Sequence, residues 1–260
     1  MIKPTLWIQP GIVIIYGANI DADPHSHQAI QLIWPQLSSA CKLNGKNITG
    51  LTIIDSAKKH QLQMSEGWIL LIEPKSGLGE MLSKALQDQP CKTLDLALFD
   101  GKRPSSETDD INQFLTPLFQ QLTPTNRALK NTSLPYDTLS FTRTTVKDKR
   151  IQQLLATFNK CLLGHCLKPS NWRASQVASQ LALSESRFLH LFRKELGIAW
   201  RPYLLWRRMM CAIQALINNK SATEAAHQAG FSDSAHLSRT FRKNFGMTIK
   251  QAISLFKKDS

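Results

Sequence analysis

Along the first 75 residues the apolar positions fall into short runs broken by Gly, Pro, Asn and Asp, and beyond Lys147 they recur instead at helical spacing. The short runs predict strands at Leu6 to Ile8, Ile12 to Tyr16, Ala29 to Trp34, Cys41 to Leu43, Leu51 to Ile54, Gln61 to Met64 and Trp68 to Ile72. Pro10-Gly11, Asn44-Gly45 and Glu66-Gly67 supply turns between them. Residues 78–87 and 109–122 then read as helices, the second with Ile111, Leu115, Leu118, Phe119 and Leu122 on one face. From Thr123 to Thr145 no period holds, and Pro124, Asn126, Asn131 and Pro135 mark a linker. Ile151, Leu154, Leu155, Phe158 and Leu162 open the helical half. The predicted division is 1–75 as a β domain, 76–146 as a helical bridge and linker, and 147–260 as a helical domain.

Charge sharpens that division. The 260 residues carry a net +13, yet residues 1–146 are neutral, with 13 basic against 13 acidic side chains. Residues 147–260 hold ten Lys and nine Arg against six acids, so the entire excess lies there. A basic half joined to a neutral half is what a binder of a polyanion coupled to something else looks like, with nucleic acid as the first candidate. No apolar run approaches the ~18 to 20 residues of a membrane helix, and Met1-Ile2-Lys3-Pro4 opens no secretory signal, so a cytoplasmic protein with no membrane partner is expected. Five cysteines without CxxC or zinc-type spacing read as reduced thiols.

The basic half repeats itself. Ala174 to Leu181 lies over Ala222 to Ala229 at an offset of 48, and Phe192-Arg193-Lys194 over Phe241-Arg242-Lys243 at 49. Each copy has an Ala-rich helix, a tight turn (Ala182-Leu183-Ser184, then Gly230-Phe231-Ser232) and a second helix closed by a glycine (Gly197, Gly246). This is a helix-turn-helix, twice. Ser221 and Glu224 form a capping-box pattern ahead of the second copy, whereas Arg173 is a poor cap for the first. Phe188, Phe192, Leu237 and Phe241 are the inward anchors of the second helices. Ser186, Arg187, Leu189 and His190, with Ala235, His236 and Arg239, face outward where a major-groove helix meets base edges. Ser184, Arg193, Lys194, Ser232, Arg242 and Lys243 are the expected phosphate contacts.

The order Ala178, Leu183-Ser184, Arg187-Phe188, Phe192-Arg193, Gly197, then Tyr203-Leu204, Arg208, Ala212, then Ala226, Gly230-Phe231-Ser232-Asp233, His236 to Arg239, Phe241-Arg242, Gly246 resembles the DNA-binding domain of the AraC/XylS family of bacterial transcription regulators. That resemblance implies two units joined by the helix through Tyr203 to Leu216, reading successive major grooves of promoter DNA. It singles out Ser186, Leu189, His190, Ala235 and Arg239 as base readers. The chain departs from the pattern at Ala182, where glycine is common, and at Met247 to Lys250, which lack the usual proline. The implied fold is α+β, a small cupin-like β-barrel followed by an all-α domain with two helix-turn-helix units. Implied partners are double-stranded DNA, a small-molecule effector, a second copy of the chain, and RNA polymerase if the protein activates.

Asp23 to Leu32 resembles the first motif of cupins, with His25 and His27 in an H-x-H pattern that a strand would place on one face. With His60 they could supply three metal ligands, line a pocket for a small organic effector beside Trp7, Trp34 and Trp68, or simply be packed. Gln31 stands where metal cupins carry a glutamate, so the reading adopted is no metal, no cofactor and no enzyme, with His25, His27, Gln31, Trp34 and His60 as effector contacts. The alternative is a cupin-like metalloenzyme with a nucleic-acid-binding tail.

Overall fold

The computed structural model describes residues 4–94, 146–163 and 172–256, together with Asp100, Pro104, Asp110, Ile111 and Thr116. The linker expected over 123–145 and nearly all of the helix expected over 109–122 lie outside these residues.

Eight strands form one antiparallel sheet: β1 (Thr5–Gln9), β2 (Ile12–Asp21), β3 (Ile30–Pro35), β4 (Cys41–Leu43), β5 (Lys46–Asn47), β6 (Thr52–Ile54), β7 (Leu62–Ile72) and β8 (Cys91–Thr93). The main order is β1-β2-β7-β3-β6-β8, with β4 pairing β5 and one end of β7. Helix α1 (Gly77–Leu86) sits between β7 and β8, and β8 pairs β6, so the sheet unit runs on past residue 75 to Thr93. The strands expected at Gln61 to Met64 and Trp68 to Ile72 are one strand, β7, because Gly67 is not a turn. A Cβ there would lie 2.7 Å from the Trp34 carbonyl oxygen, so the glycine lets β3 and β7 approach. Asn44 and Gly45, both at positive φ, do make the tight β4–β5 turn.

Both faces of the sheet are covered, which is why its strands read as apolar runs rather than alternating ones. On one face Ile12, Ile14, Tyr16, Ile30, Leu32, Trp34, Trp68 and Leu70 pack under Leu78, Leu82 and Leu86 of α1. Val13, Ile33, Ile69 and Leu71 point the other way.

Among the described residues seven more helices follow: α2 (Lys149–Leu163), α3 (Ala174–Gln180), α4 (Glu185–Leu196), α5 (Trp200–Ile217), α6 (Ala222–Gln228), α7 (Ser234–Phe245) and α8 (Ile249–Phe256). The two halves of the repeat share their backbone bonds. Leu183 N–H donates to Ala178 at 2.9 Å and Phe231 N–H to Ala226 at 2.8 Å, while Gly197 and Gly246 donate to Arg193 and Arg242 at 2.9 Å each. Ser221 and Glu224 form a complete capping box, and Arg173 makes no side-chain cap. At the turn Gly230 has φ +77° and Ala182 φ +52°. A left-handed backbone disfavours any Cβ, so Ala182→Gly should stabilise the fold by up to about 1 kcal/mol in urea unfolding. A destabilised variant would contradict this account of the turn.

The units differ in what they pack against. The first has a core of its own, in which Phe188, Phe192, Trp200 and Tyr203 meet Ile151, Leu155 and Phe158 of α2. The second shares its core with the sheet: Met209, Ala212, Leu216, Ala226, Phe231, Leu237 and Phe241 form one cluster with Val13, Ile20, Ile33, Leu62, Ile69 and Leu71. Helix α5 spans both, Trp200 and Tyr203 in one core and Trp206 to Leu216 in the other. Cys41 and Cys91 are free, but Cys211 is disulfide-bonded, against the expectation of reduced thiols throughout.

Candidate functional site

Helices α4 and α7 each bury a strip of large apolar side chains and turn the rest outward. Phe188, Phe192 and Leu196 anchor α4, and Leu237 and Phe241 anchor α7. That burial fixes which side chains remain outside. Ser186, Arg187, Leu189, His190, Arg193 and Lys194 are exposed on α4, with Leu189 one of two large apolar side chains notably exposed among the described residues. Ala235, Ser238, Arg239, Arg242 and Lys243 are exposed on α7. Each face combines cations with small or apolar groups, the mixture that phosphate contact plus base reading requires.

Several residues are more committed than their spacing suggested. Ser184, exposed beside the expected phosphate path, caps α4 by accepting from Arg187 N–H at 3.3 Å. Asp233 caps α7, accepting from His236 N–H at 2.7 Å. Ser232 donates to that aspartate at 3.0 Å and lies 3.0 Å from His236 Nδ1. His236 is half-buried, its ring edge-on to Phe231 at 5.3 Å, so part of its surface belongs to the turn. Arg208 of α5 holds the same turn: it donates to the carbonyls of Ala229 and Gly230 and stacks 4.6 Å over the Phe231 ring. Spacing alone placed Arg208 in the motif without a role.

The other unforeseen residue is Asp23, in the loop between β2 and β3. Its N–H donates to Gly246 at 2.7 Å and its carboxylate accepts from Arg242 at 3.1 Å. Asp23 and Pro24 share a cleft with Ser238, Arg239, Arg242 and Lys243 of α7. The loop therefore lies against the outward face of the second unit and holds one of its expected phosphate contacts. No sequence signal pointed to this pair, whose members are 219 residues apart.

Behind that loop a cavity of about 410 Å³ opens between the sheet and the helical half. Leu6, Val13, Ile15, Ile69 and Leu71 line it from the sheet, Ile213, Leu216, Phe241, Phe245 and Ile253 from the helices, and His25, His27 and Gln31 supply its polar side. Trp34, expected among the effector contacts, is not there. Residues 31 and 34 differ in parity along β3, so their side chains leave opposite faces, and Trp34 packs beside Trp68 under α1. Trp7 and Trp68 lie on that face too, their rings stacked at 5.9 Å.

His60 is not part of the cavity lining but joins the other two histidines. The H-x-H pattern is not on a regular strand: His25 makes an isolated antiparallel bridge to His60, each N–H donating to the other's carbonyl at 2.9 Å. His27 stands with them, and its ring lies 6.1 Å from Trp206 of α5. All three imidazoles are buried. Burial holds them neutral, moving His25 down to about 4 and His27 to about 3, with His60 shifted the same way. Each Nδ1 donates to a nearby backbone carbonyl, His25 to Asp23 at 2.8 Å, His27 to Ala29 at 3.0 Å and His60 to Lys58 at 2.9 Å. A neutral ring that donates through Nδ1 keeps its lone pair on Nε2. Gln31 Oε1 lies 2.8 and 2.9 Å from Nε2 of His27 and His60; with both rings donating through Nδ1, the carboxamide turned over would place its NH2 there and donate one N–H to each.

The comparisons with known proteins bear on the helical half. Residues 177–253 match the family model described as a helix-turn-helix domain. The virulence regulon transcriptional activator VirF of Yersinia enterocolitica is 34% identical over 82 residues, 31% of this chain and 30% of that protein. The Msm operon regulatory protein of Streptococcus mutans is 35% identical over 83 residues, 32% and 30% of the two chains. The HTH-type transcriptional regulator ExsA of Pseudomonas aeruginosa is 29% identical over 80 residues, 30% and 29%. The chain thus spans less than a third of the length of these relatives. A crystal structure of ToxT from Vibrio cholerae aligns over 98% of this chain and 97% of its own at 11% identity and a TM-score of 0.48. No described helix is long and apolar enough to cross a membrane. With the duplicated units, their caps and their exposed basic faces, the match over residues 177–253 identifies this segment as a helix-turn-helix domain.

Proposed function

We propose that the chain is a sequence-specific, DNA-binding transcription regulator whose β domain answers to a small molecule. One observation carries the reading: the cavity is walled on one side by the sheet and on the other by α5, α7 and α8, so its occupant would touch both the sensing half and a DNA-reading unit. The lining favours a compact, mostly apolar effector with one polar group directed at His25, His27 and Gln31. Such a ligand changes DNA affinity only as far as it distinguishes the docked from the released arrangement of α7 and the Asp23 loop. A paired chain and a contact with RNA polymerase belong to the same reading, as does a cytoplasmic location.

On α7, Arg239 is the residue assigned to base reading and Lys243 to phosphate. Selection of bound DNA from a random pool by the full chain should enrich two half-sites about one helical turn, ~34 Å, apart. Arg239→Ala should relax preference at one half-site position and lose about 1–3 kcal/mol on the selected site, whereas Lys243→Ala should weaken all sequences alike and lower the salt slope by about one. A pool that enriches nothing would remove the regulator reading. An unchanged preference in Arg239→Ala would displace the assigned register.

A further inference from the structure

We propose that His25, His27 and His60 form a binding site for a divalent transition-metal ion, and that the bound ion holds the Asp23 loop against the second helix-turn-helix unit. The first ground is convergence: one ring nitrogen from each histidine lies within 4.8 Å of the others, in a buried cluster. A tetrahedral ion with nitrogens at 2.0–2.1 Å separates its ligands by ~3.3 Å, so closing the triangle asks for ring shifts of at most about 0.9 Å each.

The second ground is the set of outer hydrogen bonds. All three rings give Nδ1–H to a backbone carbonyl two residues away, Asp23, Ala29 and Lys58. In a neutral ring that donation places the lone pair on Nε2, the tautomer a metal-binding histidine needs, and the carbonyl is the support such ligands ordinarily have. A merely packed histidine needs no common tautomer. Three such rings on one cluster, from a loop and a distant turn, are a built arrangement.

The third ground is access. His25 and His27 border the cavity, which leaves a path for the ion and a free coordination position facing the cavity. Gln31 changes which ion fits. As a neutral amide it suits a hard cation poorly, which counted against a metal in the sequence, but three imidazoles are a sufficient set for zinc, copper, nickel or cobalt. Once Nε2 of His27 and His60 are taken, Gln31 can turn its carbonyl oxygen toward the ion or its bound water.

The consequence for the loop follows from connectivity. His25 and His27 lie two and four residues beyond Asp23, while His60 belongs to the sheet side. An ion joining all three pins the loop in the position where Asp23 meets Gly246 and Arg242, and so keeps Arg242 from phosphate. This last step rests on the DNA-binding reading above, but the site itself does not.

The test is a titration of the full chain, prepared with chelator and then freed of it, with cobalt(II) and with zinc(II). One equivalent should bind, and cobalt should develop the intense visible bands of a four-coordinate ion. His27→Ala and His60→Ala should each weaken binding by more than the roughly 10- to 100-fold that loss of an outer partner costs. His227→Ala, exposed on α6, should leave it unchanged. Gln31→Glu keeps all three histidines and should tighten binding, which gives a second reading if a histidine variant fails to fold. Absence of a one-equivalent site, or binding that survives both histidine variants, overturns the assignment. Zinc should also lower affinity for the selected DNA; an unchanged affinity with zinc bound overturns the pinning of the loop, while the metal site stands on the cobalt result.

Discussion

Replacing Glu73 with alanine is expected to destabilise the protein by about 3 kcal/mol, the low end of what breaking a buried ion pair costs. Glu73, just past β7, accepts from Arg207 of α5 at 3.1 Å, and the guanidinium is only 3% exposed. Its second arm donates to Asn159 of α2 at 3.1 Å. One arginine therefore ties sheet, α5 and α2 at a single point. Without the carboxylate the guanidinium stays enclosed, with the neutral amide of Asn159 and the Phe158 ring, 5.9 Å away, among its neighbours. The double variant Glu73→Leu with Arg207→Leu should recover most of the loss, because the penalty comes from a buried charge that has lost its counter-ion rather than from the absent bond. Urea unfolding of the two variants checks this; a loss below about 0.5 kcal/mol in Glu73→Ala would mean that the pair behaves like an exposed one.

Gly246→Ala should do far more harm than Gly197→Ala, although both glycines close equivalent helices at nearly the same left-handed φ, +66° and +69°. The conformational strain of an alanine, about 1 kcal/mol, is common to both. The surroundings are not. A Cβ on Gly197 meets nothing closer than the flexible end of Lys75 at 3.5 Å, whereas one on Gly246 would fall 2.1 Å from the Asp23 carbonyl oxygen and 2.7 Å from His25 Nδ1. Either the β2–β3 loop moves away or the overlap is absorbed as a further loss of about 1–3 kcal/mol. If the loop moves, Arg242 is released and DNA affinity should rise. The Asp23–Arg242 pair is itself more than half exposed on both sides and contributes little alone, so the packing at Gly246 is the stronger part of the contact. Equal stability of the two variants, with equal DNA affinity, would show that the halves do not meet as described.

The helical half was the more legible in sequence because its determinants are local. Alanines at 178 and 226, the caps at 184 and 221, and the glycines at 197 and 246 act within a few residues of themselves, and duplication doubled the signal. The sheet was legible as strands but not as extents. Ile12 to Tyr16 continues to Asp21, and two expected strands merge through Gly67, because pairing with β2 and β3 carries an extended backbone past polar residues and glycine that mark turns elsewhere. The sheet also runs on through α1 to β8, since β8 finds its partner in β6, some forty residues earlier. Among the site residues, His25, His27, Gln31 and His60 come together, and Trp34 was separable from them by parity alone.

By itself, then, the sequence determined, His236 apart, which residues of α4 and α7 are buried and which face outward, because helical period and the demand to cover large apolar groups leave little other choice. It also determined that all the excess charge belongs to that half. Only the tertiary structure decided that the second unit is fused to the sheet while the first has its own core, that Asp23 reaches Arg242, and that three buried histidine rings gather around one point. These are contacts between segments dozens to hundreds of residues apart, and no local propensity carries information about where a distant chain segment comes to rest.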